Sequence, residues 1–203
     1  MKVLLINGSP HEKGCTYTAL SLIAGELKAQ GIETEILHVG GQPVGGCIGC
    51  GGGNGCVFGG VVNEAIEKAK TADAFVFGSP VHYASAAGNM ASFMDRLAYA
   101  GGKYLAYKPA AICCSARRAG TTSTLDQLVK YPQFFHMPLV NGSYWAMVHG
   151  SNPEQVLQDA EGCAVMQELG RNMAWLLRCI EAGKAAGIDH PQNPPRPMTN
   201  FIR

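Results

Sequence analysis

The N-terminal segment constrains the fold most, because a run of apolar residues passes through a short polar loop into a helical pattern. Residues 3–6 are Val, Leu, Leu and Ile, a run typical of a strand that is buried on both faces of a parallel sheet. Gly8, Pro10 and Gly14 then allow a sharp bend. From residue 16 onwards apolar residues recur at helical spacing. The segment therefore predicts a strand, a bent loop and a helix.

The loop between this strand and this helix suits a phosphate group. A helix N-terminus presents unpaired N–H groups and a partial positive charge, and the hydroxyls of Ser9, Thr16 and Thr18 add donors. The Gly-x-Gly-x-x-Gly fingerprint of dinucleotide sites is absent, which favours a terminal monophosphate. An ordinary strand-to-helix turn would use the same residue types, so the choice depends on the rest of the chain.

Size and charge restrict the class of protein. The chain has 203 residues, a formal net charge of +1 and 15% charged residues, which fits one α/β domain without a surface for nucleic acid or for a membrane. Small molecules are therefore the expected partners. With no apolar run of membrane-spanning length and no cleavable signal, the expected location is cytoplasmic. In that compartment, eight cysteines favour metal binding or redox chemistry over disulfides.

Apolar segments with strand character alternate with amphipathic segments along the chain. This alternation is typical of a doubly wound α/β sheet. With a monophosphate loop after the first strand, it predicts a flavodoxin-like three-layer sandwich with a five-stranded parallel sheet of order 2-1-3-4-5. The predicted strands cover residues 3–6, 34–39, 74–77 and 110–114, with residues 139–140 and 144–148 supplying the fifth. The predicted helices cover residues 16–28, 62–70, 89–100, 125–130 and 154–182.

Prolines mark two boundaries of the predicted domain. Pro132 is expected to end the fourth helix. The flavodoxin-like domain is predicted to cover residues 1–182, and the proline-rich residues 183–203 are predicted to form an extended tail. A disordered tail is the alternative. Three apolar residues are candidates for anchoring the tail on this chain or on a second subunit: Met198, Phe201 and Ile202.

Loops rich in small and hydroxyl residues follow the first, third and fourth predicted strands. The second of them repeats the Gly-Ser-Pro sequence of the first and continues into a His-Tyr pair, and the third carries two adjacent arginines. In a sheet of order 2-1-3-4-5 these loops meet at the carboxyl edge, where ligands of open α/β sheets bind. One flat ligand with a phosphate group would use all three loops.

The motifs in these loops resemble those of the NADPH-dependent FMN reductase family of flavodoxin-like flavoproteins. Gly8-Ser9-Pro10 with Thr16 resembles the family's phosphate loop, and Ser79-Pro80-Val81-His82-Tyr83 resembles its isoalloxazine loop. The similarity extends over most of the chain and implies FMN as the cofactor of residues 1–182. It implies that the phosphate lies near Ser9, His11, Cys15, Thr16, Tyr17 and Thr18. It implies that the ring lies near Pro80, Val81, His82, Tyr83, Ser115, Ala116, Arg117, Arg118 and Gly120.

Two residues of the first loop depart from the family pattern. His11 and Cys15 stand where the family often has arginine and asparagine. A histidine that contacts the phosphate binds it best when protonated, so FMN affinity is expected to fall as the pH rises. Cys15 is expected near a helix N-terminus, which would lower the pKa of its thiol and make it an oxidation target. A small residue that merely fits the loop is the preferred interpretation of Cys15.

The resemblance implies an oxidoreductase whose flavin performs the chemistry, so no catalytic acid, base or nucleophile is required of the protein. The expected reaction takes a hydride from NAD(P)H as co-substrate and reduces flavin, a quinone or a similar small-molecule acceptor. The alternative is an iron–sulfur-type flavoprotein that transfers electrons to a protein partner. Arg117 and Arg118 either tune the flavin or lie on a solvated rim. A homodimer or homotetramer is also implied.

A glycine-rich loop carries the second group of candidate site residues. Residues 45–60 contain nine glycines and Cys47, Cys50 and Cys56. This spacing resembles the cysteine cluster of iron–sulfur flavoproteins, with Gly53 where another cysteine is expected. Because a four-iron cluster normally takes four thiolates, a loop without metal is the preferred interpretation. An iron–sulfur cluster, a zinc site completed by a histidine, and a redox dithiol of Cys47 and Cys50 remain alternatives.

Overall fold

The computed structural model describes residues 1–195 and 197–199. Its strands are β1 (Lys2–Asn7), β2 (Glu33–His38), β3 (Ala74–His82), β4 (Ser85–Ala86), β5 (Ala110–Ala116) and β6 (Met147–His149). Its α-helices are α1 (Cys15–Ala29), α2 (Val61–Thr71), α3 (Gly88–Gly101), α4 (Thr121–Phe134), α5 (Pro153–Val156) and α6 (Ala160–Ala185). A short 3₁₀ helix, Gly102–Tyr104, follows α3.

The sheet has the topology that the alternating pattern predicts. Its parallel strands lie in the order β2-β1-β3-β5-β6, and the short β4 pairs antiparallel with the end of β3. With β4 set aside, this is the predicted order 2-1-3-4-5, so the flavodoxin-like prediction is confirmed. Asn7 pairs with Gly78, and Gly78 pairs with Cys113. The loops that follow β1, β3 and β5 therefore emerge at one edge of the sheet.

Alternating side chains of the central strands bury both faces of the sheet. In β1, Leu4 and Ile6 belong to a core formed with α2, α3 and α4, whereas Val3 and Leu5 belong to a core formed with α1 and α6. All four side chains are at most 1% exposed. The apolar run at the N-terminus is thus the signature of a strand between two helical layers.

The hairpin formed by β3 and β4 corrects two predictions. The strand predicted at 74–77 continues to His82, because residues 78–80 pair with β5. The segment 81–88, predicted to be a loop, contains a tight turn in which Val81 pairs with Ala86 and His82 with Ser85.

The fifth predicted strand is also shorter than expected, since β6 covers only Met147–His149.

The prediction that Pro132 ends the fourth helix is wrong. The helix begins at Thr121, earlier than predicted, and Pro132 lies buried in its last turn. At that place its missing N–H removes one hydrogen bond just before the helix ends. The Pro132 carbonyl accepts hydrogen bonds from the N–H groups of Phe135 and Met137, at 3.1 and 3.0 Å, which close the helix.

The predicted helix at 154–182 is two helices. Asn152 Oδ1 accepts a hydrogen bond from the Gln155 N–H and begins α5. Asp159 Oδ1 accepts one from the Gly162 N–H at 2.9 Å and begins α6. These two caps start separate helices, because a capping side chain favours a helix start at its own position. Helix α6 ends at Ala185, inside the region predicted to be the tail.

The beginning of the C-terminal tail contacts the body of the chain. The His190 ring stacks on Tyr107 with centroids 4.3 Å apart, and Asn193 Nδ2 donates a hydrogen bond to Tyr107 Oη at 2.7 Å. Met198, one of the predicted anchors, is 82% exposed, and Phe201 and Ile202 lie outside the described residues. Among the described helices, none is long and apolar enough to span a membrane.

Candidate functional site

The loop after β1 is held in shape by its own polar groups. The Asn7 side chain accepts from the Ser9 N–H at 3.1 Å and donates to the Glu12 carbonyl at 2.9 Å. Ser9 Oγ accepts from the His11 N–H at 3.1 Å. Ser9 is 4% exposed, whereas His11 lies on the surface. The backbone of this loop is therefore ordered by contacts made within residues 7–12.

The N-terminus of α1 has no side-chain cap, as in α2, α3 and α4, whereas α5 and α6 have one. Its N-cap residue is Gly14, and the Thr18 N–H donates to the Gly14 carbonyl at 3.0 Å. Within the described residues, the N–H groups of Thr16 and Tyr17 have no hydrogen-bond acceptor, and the Cys15 N–H interacts with the thiol of its own residue. Backbone donors at the positive end of the helix dipole are thus available to an anion.

Direct contacts join the loops at the carboxyl edge of the sheet. The Gly8 N–H donates to the Gly78 carbonyl at 2.9 Å, and Thr16 Oγ1 lies 2.8 Å from Ser115 Oγ. Gly120 has a φ of +91°, and a side chain there would come within 2.6 Å of the Ala84 Cα atom. The three predicted loops therefore meet, as the sheet order requires.

The side chains predicted to hold the phosphate differ in what they can donate. Thr16 is 1% exposed and its hydroxyl is engaged with Ser115, while Thr18 Oγ1 donates to the Gly14 carbonyl at 3.2 Å. Both hydroxyls therefore already have partners, and Tyr17 is partly buried beside them. The loop therefore offers backbone N–H groups as donors besides the remaining hydroxyl hydrogens, and these backbone donors are not revealed by residue types alone.

Cys15 does not have the electronic environment expected of an oxidation target. Burial raises the pKa of its thiol, and the nearby charge of Glu154 acts in the same direction. Its Sγ donates to the Gly150 carbonyl at 3.5 Å. Burial and the charge of Glu154 together outweigh the hydrogen bond from the Cys15 backbone N–H, which lowers the pKa of the thiol. The interpretation as an oxidation target with a lowered pKa is therefore wrong, and the preferred interpretation, a small residue that fits against the neighbouring loop, agrees with the structure.

The hairpin turn in the second loop has an unusual backbone. Tyr83 and Ala84 have φ values of +50° and +59°, a left-handed conformation that glycine and asparagine adopt more readily. Ser123 Oγ donates to the Ala84 carbonyl at 2.6 Å, and Gln127 Oε1 accepts from the Ala86 N–H at 2.9 Å. Helix α4 thus holds the turn, and the Tyr83 side chain is fully exposed. Of the other residues predicted here, Pro80 and Val81 are partly buried and His82 is exposed.

The third loop begins buried and ends exposed. Ser115 and Ala116 are the last residues of β5 and are at most 7% exposed, whereas Arg117 and Arg118 lie on the surface. In the described part of the chain, neither arginine forms a salt bridge. Their charges are consequently available to a ligand in the cradle formed by the three loops.

Two histidines at the same edge were missed by sequence reasoning. His38, the last residue of β2, has Nε2 2.8 Å from the Ser9 carbonyl oxygen. His149, the last residue of β6, pairs with Ala116, and the Asp159 carboxylate accepts from its backbone N–H at 2.8 Å. Each histidine directly follows the apolar part of a strand. The same signal, a polar residue directly after an apolar strand, predicted the loops after β1, β3 and β5.

The three cysteines of the glycine-rich loop line one small pocket with Arg96. Arg96 is 6% exposed, and its Nε–H donates to Cys56 Sγ at 3.1 Å. Cys47 is partly buried and Cys50 is exposed. Across residues 1–195 and 197–199, no group of three or more His, Cys, Asp or Glu side chains is placed to hold a metal ion.

Two proteins named iron–sulfur flavoproteins are similar in sequence to this chain. An iron–sulfur flavoprotein of Methanocaldococcus jannaschii is 27% identical over 195 residues, which cover 89% of this chain and all of that protein. An iron–sulfur flavoprotein of Archaeoglobus fulgidus is 35% identical over 101 residues, which cover 47% of this chain and 48% of that protein.

Solved structures show the same fold at low sequence identity. RosB, solved with 8-demethyl-8-formylriboflavin-5'-phosphate bound, superimposes with a TM-score of 0.72 and 15% identity, over all of this chain and 94% of RosB. A flavodoxin from the domain Archaea gives a TM-score of 0.60 and 14% identity, over 88% of this chain and 99% of that one. The family model described as NADPH-dependent FMN reductase matches residues 1–152. The chain therefore belongs to the NADPH-dependent FMN reductase family of FMN-using flavodoxin-like oxidoreductases.

Proposed function

We propose that this chain binds FMN at the carboxyl edge of its sheet and uses NAD(P)H to reduce a small-molecule acceptor, such as flavin or a quinone. The observation that carries the proposal is the uncapped N-terminus of α1, which lies beside the hydrogen bond between Thr16 and Ser115. A ligand whose monophosphate binds at this helix end could extend over the other two loops.

The phosphate would be bound mainly by the backbone. The N–H groups of Thr16 and Tyr17 have no acceptor among the described residues, and a phosphate oxygen accepts such bonds well at a helix N-terminus. The Thr16 hydroxyl then acts indirectly, because its bond to Ser115 holds α1 against β5. His11 is exposed at the rim of the loop, where it would add charge to the outer side of the phosphate.

The ring would lie between the hairpin and the third loop. Bound flavin supplies the capacity to accept a hydride and to pass on electrons. The chain contributes position and charge: the hairpin backbone is fixed by Ser123 and Gln127. Arg117 or Arg118, without an acidic partner in the described structure, would stabilise negative charge on the pyrimidine side of the ring.

Anaerobic mixing of the FMN-loaded chain with NADPH and with NADH tests the proposal. Rapid loss of the visible flavin absorption with one nucleotide is expected, and the ratio of the two rates gives the preferred nucleotide. Free FMN at the same concentration is the control, because it lacks the positioning that the protein provides. If neither nucleotide reduces the bound flavin, the reductase proposal is wrong.

The second candidate is an electron-transfer protein with a protein partner. It is favoured by exposed apolar residues beside the cysteine pocket, since Ile48, Val57, Phe58 and Tyr99 are each 55–66% exposed, and patches of this kind mark interaction sites. The relatives named iron–sulfur flavoproteins point the same way. Fast reduction by NADPH would contradict a function that depends only on a protein reductant.

Location and assembly complete the proposal. We place the chain in the cytoplasm and expect a homodimer or homotetramer, on the basis of the family resemblance. Light scattering coupled to size-exclusion chromatography measures the number of subunits directly.

A further inference from the structure

The cysteine loop, residues 45–60, contains three cysteines, Cys47, Cys50 and Cys56, and this chain is similar to relatives named iron–sulfur flavoproteins. Such a name implies a cluster bound by cysteine thiolates, and four thiolates are the usual set for a four-iron cluster. The pocket in this chain is lined by three cysteines, by Arg96 and by apolar or small residues, without a histidine, aspartate or glutamate. The pocket therefore offers one thiolate too few.

The remaining cysteines do not supply the fourth ligand. Cys113 and Cys114 lie inside β5, where burial raises the pKa of Cys113 strongly and that of Cys114 to about 12. Cys15 lies at the start of α1, and the other two cysteines, Cys163 and Cys179, lie in α6, on the opposite face of the sheet from α3. The residue that stands at the expected ligand position is Gly53.

Arg96 of α3 connects the two ends of the loop. Its Nη2–H group donates to the Gly59 carbonyl at 3.2 Å and its Nη1–H group to the Gly45 carbonyl at 3.5 Å. Its Nε–H donates to Cys56 Sγ at 3.1 Å, and the Phe58 ring lies 5.1 Å from the guanidinium carbon. One buried side chain thus connects both ends of the loop to Cys56, as a bound cluster connects the cysteines that ligate it.

The charge of Arg96 supports this role. The part of the chain that the structure describes gives it no carboxylate partner, so two carbonyls, a sulfur and an aromatic face balance a guanidinium that is 6% exposed. A buried cation that loses its hydrogen-bond acceptors is strongly disfavoured. The loop and Arg96 consequently stabilise each other.

We infer that residues 45–60 do not assemble a four-iron cluster, and that Arg96, instead of a cluster, holds the two ends of this loop together. The inference concerns a different site from the proposed FMN cradle and does not depend on FMN binding. Adding a cysteine at position 53 should supply the missing ligand. A Cβ atom built there meets no other atom within 4 Å, and although its φ of +33° disfavours a side chain, the surrounding space is open.

Anaerobic reconstitution with ferrous iron and sulfide tests the ligand count. After desalting, the unmodified chain should retain no more iron and acid-labile sulfide than the Cys47→Ala/Cys50→Ala variant. Gly53→Cys should retain about four of each per chain and show the paramagnetic resonance of a reduced cluster after dithionite treatment. About four iron atoms in the unmodified chain would overturn the inference, and so would a Gly53→Cys chain that folds but retains none.

Limited proteolysis tests the role of Arg96. Arg96→Gln removes the charge and the contacts at both loop ends, so cleavage within residues 45–60 should become about tenfold faster, which corresponds to about 1.4 kcal/mol of local opening. Arg178→Gln is the matched control, because Arg178 is exposed and, among the described residues, donates to the Gln30 carbonyl alone. Equal cleavage of the Arg96→Gln and control variants would show that Arg96 does not hold the loop.

Discussion

The pair Thr16 and Ser115 shows how single residues hold the candidate site together. The two side chains are 1% and 4% exposed, and their hydroxyl oxygens lie 2.8 Å apart, joining α1 to β5. Neither hydroxyl has another side chain to bond in the described structure. The contact therefore connects two loops. Because both hydroxyls are buried, each must also keep a hydrogen-bond partner.

Replacing one member of this pair should cost more than replacing both. Thr16→Val preserves the side-chain shape but leaves the Ser115 hydroxyl buried and unpaired, which should lower the free energy of unfolding by about 1–3 kcal/mol. The double variant Thr16→Val/Ser115→Ala should recover part of that loss. Urea unfolding of the two single variants and the double variant gives the coupling energy. Strictly additive losses would mean that the two hydroxyls do not stabilise each other.

At the scale of elements, the hairpin of β3 and β4 shows what sequence reasoning could not reach. Its turn places Tyr83 and Ala84 at positive φ, which their residue types argue against. Gln127 of α4, about 40 positions along the chain, holds the turn through Ala86. Long-range contacts therefore determine this element. The start of α5 was in principle readable, because Asn152 followed by Pro153 is a recognised cap signal.

An ion network of five residues, Lys2, Glu33, Glu35, Glu64 and Lys68, links β1, β2 and α2 and is centred on Glu35. Glu35 Oε2 lies 2.9 Å from Lys2 Nζ, and Glu35 Oε1 lies 2.6 Å from Lys68 Nζ. Hydrogen bonds from Lys2 and then from Lys68 lower the pKa of Glu35. A carboxyl group whose pKa is lower in the folded state stabilises the protein above its unfolded pKa, and this contribution is lost as the pH falls through the folded value.

Glu35→Gln should therefore destabilise the protein at pH 7 but not in strong acid. The loss at pH 7 should be at most about 1 kcal/mol, because the network is partly exposed to solvent. The difference from the unmodified chain should disappear below the lowered pKa of Glu35, where both carry a neutral side chain. Urea midpoints measured across this range test the prediction, with Glu64→Gln, a more exposed partner of Lys68, as the control. A difference that persists in acid would point to packing instead of charge.

On the scale of the whole molecule, the sequence was sufficient for the sheet order and insufficient for the chemistry of its loops. The buried run in β1 and the small-residue loops after β1, β3 and β5 are local signals, so the fold and the meeting of the three loops could be predicted from them. The contact of Arg96 with Cys56 joins residues 40 positions apart, and the free donors at α1 are backbone groups. Neither is encoded by residue type at a single position.

FMN should stabilise the whole fold more than riboflavin does, because only FMN carries the phosphate. At 100 times its Kd a ligand adds about 2.7 kcal/mol, which raises the Tm of a chain of this size by about 5–10 °C. Riboflavin at the same concentration should give a smaller shift. Thermal unfolding followed by circular dichroism measures both. Equal shifts would mean that the phosphate makes no contact and that the α1 N-terminus is not its site.

A carboxylate placed at the N-cap of α1 should remove the difference between the Tm shifts that FMN and riboflavin cause. Gly14 has a φ of −91°, which any residue adopts, but a Cβ atom there lies 3.0 Å from the His11 Cβ atom, so this part of the loop must shift slightly to accept a side chain. An aspartate at this N-cap position would accept hydrogen bonds from the N–H groups that otherwise remain for the phosphate. Gly14→Asp should therefore reduce the FMN-induced shift to that of riboflavin while leaving the riboflavin shift unchanged. Gly25→Asp adds the same charge to the same helix, at a position with no neighbouring atom within 4 Å of the new Cβ, and should preserve the difference between the two ligands. Loss of the difference in both variants would indicate a general charge effect, and its survival in Gly14→Asp would place the phosphate elsewhere.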